Sequence, residues 1–221
     1  MSDKPHKSTG LLFCAEMVRA DLEGRKTQTR RVVKPQPIPK EDGGWFWQGG
    51  PKLLKASYGD VYVHTDLDHV IQAMLKVCPY GRPGDEILGR ETWATDRCLD
   101  DVKPSNLQAG FPCEFKAGGT NVYGYDKLVD RGRWRPSIFM AKHASRIHHI
   151  LTAVRVERLQ DITDRDALDE GISIPKNLTE AYKRGERLGP RNRYMQLWDR
   201  LNGKKHPWAS NPWVWVLQWE P

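Results

Sequence analysis

Apolar residues in this chain come in short bursts, each cut off by a glycine, a proline or a charge. "TRRVVK" at 29–34 runs into "PQPIP", "EILGRETW" at 86–93 follows the turn "GRPGD", and "WVWVLQW" at 213–219 stops just before the final proline. Runs of this length suit strands, and none approaches the roughly 20 apolar residues needed to cross a bilayer. Strands are predicted near 11–15, 30–34, 86–91, 146–157 and 213–219, the fourth from "RIHHILTAVRVERL". Helical patterning is confined to short pieces. "EMVRADLEG" predicts a helix at about 16–24, ended by Gly24. "DITDRDALDEG" carries a helix start, with Thr163 as N-cap, Asp164 and Asp166 in the first turn and Gly171 at the end. "RNRYMQLWDRLNG" sets Tyr194, Leu197, Trp198 and Leu201 on one face. The pattern is α+β, compatible with a small barrel carrying helices at its ends. Residues 36–80 and 96–132 lack regular periodicity and read as two irregular insertions in a single domain spanning 1–221, although "DVYVHTDLD" at 60–68 has the pattern of a strand.

Charge and cysteine usage narrow the function classes. The formal net charge is +7, which favours an anionic partner, nucleic acid being the commonest. The mean hydropathy is −0.68, and "MSDKPHKSTG" has no signal-peptide core. A soluble, cytoplasmic protein without a membrane partner is expected. Cys14, Cys78, Cys98 and Cys113 form no Cys-x-x-Cys pair, so they read as structural thiols. No His-Glu-x-x-His pattern occurs, and His148 and His149 are adjacent and so face opposite ways on a strand. Neither a metal nor another cofactor is expected.

The densest chemistry is in "EGRKTQTRR", where four cations and two threonines fall within residues 25–31. Most such runs are solvated turns. The alternative is a site, because Lys26 and Thr29 share a face if they lie on a helical turn. A threonine hydroxyl needs a base to become a nucleophile, and a lysine serves as one only when neutral. Burial and neighbouring cations favour that form, and Arg25, Arg30 and Arg31 are such neighbours. Glu91, after Arg90 at the end of a strand, suits a buried ion pair. Trp45, Trp47, Trp93 and Trp134 lie at turns or beside the insertions and are candidates to stack on a nucleobase, whereas Trp198, Trp213 and Trp215 read as core. A second basic run, "KRGERLGPRNR" at 183–193, reads as a loop open to phosphate contacts.

"LEGRKTQTRR", "GRPGDEILGRETW", "WRPSIFMAKHASRI", "VRVERLQDITDRDALDEGI" and the closing "LWDRLNGK…NPWVWVLQW" together resemble the phage and prophage members of the ASCH family, which are PUA-like proteins. The resemblance implies a small β-barrel with helices around a cleft, and a role directed at nucleosides or RNA. Gly24–Arg25–Lys26–Thr27–x–Thr29 is similar to the family's Gly-x-Lys-x-x-Thr signature. One bacterial branch with that signature is an N4-acetylcytidine amidohydrolase, using a lysine base, a threonine nucleophile and a glutamate acid. The resemblance assigns these roles to Lys26, Thr29 and Glu170, and Arg31 matches an arginine that follows the threonine. Arg25, Arg30, Arg31, Glu91 and Trp93 are then the candidate substrate-binding residues. That branch is about half as long and lacks both insertions and the tryptophan-rich end. Other ASCH proteins have RNA-binding or ribonuclease roles, so a nucleic-acid-binding module or a ribonuclease in the same basic cleft stands beside the hydrolase.

Overall fold

The computed structural model describes residues 7–48, 66–121, 128–174 and 189–221. In chain order the strands are β1 (Ser8–Leu12), β2 (Gln28–Val32), β3 (Ile38–Pro39), β4 (Trp45–Phe46), β5 (Glu86–Arg90), β6 (Trp93–Thr95), β7 (Cys113–Phe115), β8 (Ile147–Arg158) and β9 (Trp213–Trp219). The α-helices are α1 (Ala15–Leu22), α2 (Leu67–Lys76), α3 (Asp164–Asp169) and α4 (Pro190–Asn202). The chain divides into two compact units interleaved in sequence. The first holds residues 1–26, 85–150 and 221, and the second holds 27–84 and 151–220.

In the first unit β1 runs parallel to β5, with Ser8 opposite Glu86 and Leu12 opposite Arg90. The other edge of β5 pairs antiparallel with residues 147–150 of β8. Gly89 allows that approach: a Cβ there would lie 2.7 Å from Cβ of Ile147. Helix α1 buries Met17, Val18 and Ala20. Gly24 ends it at φ +70, where glycine carries no steric penalty. His148 and His149 do face opposite ways, the first bonded to Glu86 and the second to Asp21.

A second cluster in this unit packs Trp93, Phe111, Cys113, Phe115 and Met140 around the β6–β7 pair. The 96–132 region is thus not a surface appendage, since Phe111, Cys113 and Phe115 are core. Burial pushes the Cys113 thiol up to about 12, the nearby Glu91 carboxylate adds to this, and Arg146 opposes it. A maleimide at pH 8 is therefore expected to label exposed Cys98 and to spare Cys113 until the protein unfolds. Labelling of Cys113 in the native state, read by peptide mass, would contradict this packing.

In the second unit β9 is the central strand. Residues 151–158 of β8 pair antiparallel along one edge and β2 along the other. A strand flanked on both edges and covered on both faces needs an almost unbroken apolar run, and Trp213 to Leu217 and Trp219 are all buried. β3 and β4 form a separate antiparallel pair, and Trp45 meets Trp213 edge-on at 5.8 Å. Helix α2 lies in the stretch expected to be irregular. Asp66 caps it by accepting the His69 N–H at 2.9 Å. Of the strand expected over 60–68, residues 60–65 lie outside the described residues, and the remainder begins α2. Residues 183–188 of the second basic run also lie outside them, and 190–193 open α4 rather than a loop.

The strand positions match the sequence expectation to within about three residues, but the barrel is corrected. Closure requires every strand to be hydrogen-bonded on both edges. Among the described residues, β1 pairs only with β5 and β2 only with β9, so the sheets stay open. No helix among the described residues is long and apolar enough to cross a membrane. Two tryptophans expected at open turns are also corrected: Trp47 and Trp93 are buried. The Trp47 indole N–H is satisfied by the Pro35 carbonyl.

Candidate functional site

The basic turn is not a solvated one. Lys26, Gln28, Thr29 and Arg30 are 2%, 2%, 4% and 3% exposed, where such residues are ordinarily on the surface. Lys26 closes the first unit in chain order. Its backbone N–H and that of Arg25 both donate to the Ala20 carbonyl, and its Nζ lies 5.5 Å from the Phe13 ring centroid. Arg25 turns outward and pairs with Glu23. In the second unit, the Thr27 N–H donates to the Asp169 carbonyl at 2.7 Å, tying the start of β2 to the end of α3.

Alternation along β2 decides what its side chains meet. Gln28 and Arg30 leave on one face, Thr29 and Arg31 on the other. The pairing register puts Arg30, Arg155 and Glu157 on the same face, since Val216 lies opposite both arginines and Glu157 lies two residues beyond Arg155. The Arg30 side chain is fully buried there and reaches three carboxylates: Glu157 at 2.5 Å, Glu170 at 3.2 Å and Asp166 at 3.6 Å. Arg155 reaches Asp166 at 3.3 Å, and the Gln28 amide donates to the Asp166 side chain at 3.0 Å. Burial lowers the Arg30 affinity for its proton, but Glu170 and the other anions outweigh it and raise the pKa further. Tyr194 of α4 is buried beside the same cluster. Burial foremost, and then Glu170, push its phenol well above the ordinary range.

Asp166 joins this cluster to the helix cap. Its carboxylate accepts from the Thr163 N–H and hydroxyl, while its own N–H donates to Thr163. The capping box is therefore closed around Thr163, the N-cap expected from sequence. Burial pushes the Asp166 carboxyl up, but the bonds from Gln28 and Thr163 and the charge of Arg30 bring it down to about 2. A depressed carboxylate stabilises the fold above its unfolded pKa of about 3.9 and loses that contribution as pH falls toward its folded value. The gap in urea midpoint between wild type and Asp166→Asn is therefore expected to narrow between about pH 4 and 2. The contribution lost is on the order of 1–2 kcal/mol after discounting for partial exposure. A constant gap across that window would refute the assignment.

The eight residues singled out from sequence are shared between the two units. Thr29, Arg30, Arg31 and Glu170 belong to the second unit, and Lys26, Arg25, Glu91 and Trp93 to the first. Glu170 is brought to Arg30 at 3.2 Å. Glu91, 1% exposed, is gripped by Arg146 at 2.7 and 3.0 Å. Burial raises its pKa and Arg146 opposes this. Trp93 is fully buried under the Arg135 guanidinium, so it packs the core and offers no open ring face for stacking. Sequence reasoning missed Glu157 and Tyr194. Their signals were present in the alternation of β8 and the apolar stripe of α4, but neither pattern says which charge it will face.

Comparison with protein-family models, with curated proteins and with solved structures finds no match to this chain.

Proposed function

We propose that the protein hydrolyses the acetyl amide of an N4-acetylcytidine-like nucleoside. The observation that supports this is the burial of Lys26, Thr29 and Glu170, the three residues to which the ASCH resemblance gives chemical roles. A buried lysine or glutamate is uncommon in a purely structural turn.

In the proposed reaction the Thr29 hydroxyl attacks the acetyl carbon and its proton passes to the neutral Lys26 amine. The tetrahedral oxyanion is stabilised by Arg31 or a backbone N–H. The C–N bond then breaks as the leaving amine takes a proton relayed through Glu170, and water releases acetate from the threonine ester. The roles require the three groups to meet directly or through one water.

A second reading, nucleotide or RNA binding without catalysis, is favoured by one observation: Glu170 is ion-paired with buried Arg30, a structural hold that competes with a proton-relay role. Incubating the protein with N4-acetylcytidine and following cytidine and acetate by mass tests the choice. Stoichiometric release of both upholds the hydrolase. Intact substrate alongside saturable binding of cytidine nucleotides or RNA upholds the binding module.

A further inference from the structure

The second unit contains a cavity of about 370 Å³, within the range of small-molecule sites. Its walls are strongly one-signed. Among the described residues, Arg31 of β2, Lys34 just beyond it, and Lys204 and Lys205 after the end of α4 all line it, and no carboxylate does. Among the described residues Lys34, Lys204 and Lys205 make no ion pair. A cation after a helix end complements the carbonyl dipole, but one lysine suffices for that. Two there, joined by Lys34 and Arg31 from a different element, make a concentrated positive field with low-dielectric walls. The rest of the lining is Val32, Tyr80, Leu201, Asn202 and His206. Tyr80 offers a partly buried ring, and Leu201, on the apolar stripe of α4, is 54% exposed because it faces this opening rather than the core.

We infer that this cavity binds the phosphate of a nucleotide, with Lys34, Lys204 and Lys205 on the phosphate and Tyr80 and Leu201 against the apolar part of the ligand. Three clustered lysines, none in an ion pair among the described residues, favour a multiply charged oxyanion over a carboxylate, and each phosphate contact replaces released counterions. An aromatic beside the cations suits a base or sugar attached to that phosphate. The phosphate assignment is independent of the hydrolase reading. Only the choice of a cytidine nucleotide as ligand rests on it.

The test is calorimetric titration of 5′-CMP, cytidine, inorganic phosphate and a 5′-phosphorylated trinucleotide into wild type and Lys204→Glu/Lys205→Glu. CMP is expected to bind at least about tenfold more tightly than cytidine and to weaken as salt rises from 50 to 200 mM. The double variant, checked for an unchanged melting temperature, is expected to lose about tenfold in CMP affinity with little change for cytidine. Tighter binding of the trinucleotide assigns the phosphate to a chain end and tighter binding of CMP to a free nucleotide; either order upholds the cavity. Equal affinity for CMP and cytidine, or unchanged CMP binding in the double variant, overturns it. Failure to deacetylate N4-acetylcytidine would remove the hydrolase reading and leave this result standing.

Discussion

Arg30→Met is expected to destabilise the protein by about 3–5 kcal/mol, because it strips a buried guanidinium from Glu157 and Glu170 and leaves carboxylates in a buried setting. The methionine matches the arginine stem, so the loss isolates charge rather than volume. At this chain length that corresponds to a fall in Tm of roughly 6–20 °C. Adding Glu170→Gln to Arg30→Met is expected to recover part of the loss, since the second change removes a buried charge that Arg30 no longer compensates. A Tm within about 2 °C of wild type for Arg30→Met alone would mean that the cluster is solvated and that its ion pairs contribute little.

The reach of the sequence differed sharply between elements. β9 was legible to the residue because a central strand, covered on both faces, must be apolar throughout, and "WVWVLQW" admits little else. α3 was legible because Thr163 and Asp166 supply both halves of a local cap. α2 was not, although Asp66 and His69 also form a cap, because the preceding polar and glycine-rich stretch hid its period. Openness of the sheets was illegible for a different reason. Strand pairing joins residues such as Ser8 and Glu86 far apart in sequence, and no local pattern states which edges stay unpaired. The candidate site was half legible. Spacing singled out Lys26 and Thr29, but a charge run ordinarily implies solvent, and only the packing reveals that Arg30 is buried among acids contributed by β8 and α3. Trp93 misled for the converse reason: a tryptophan beside a turn looks available, yet β7 covers it.

The second large effect concerns the proposed chemistry. Thr29→Ala removes the proposed nucleophile, and Lys26→Ala removes the base, so each is expected to reduce N4-acetylcytidine turnover by at least about a thousandfold. Thr29→Ala deletes one hydroxyl and one methyl from a mostly buried strand position. Its stability cost is expected to be about 1–2 kcal/mol, leaving a folded protein to assay. Lys26→Arg is the sharper variant, because it keeps the positive charge while an arginine does not deprotonate in proteins. Lysine acting only through charge tolerates that change; lysine acting as a base does not. The most direct measurement is mass-resolved release of cytidine from N4-acetylcytidine by wild type, Thr29→Ala and Lys26→Arg, each confirmed folded by its melting transition. The hydrolase account predicts release by wild type and none above background by either variant. Release by Lys26→Arg at the wild-type rate, or no release by the folded wild type, would contradict it.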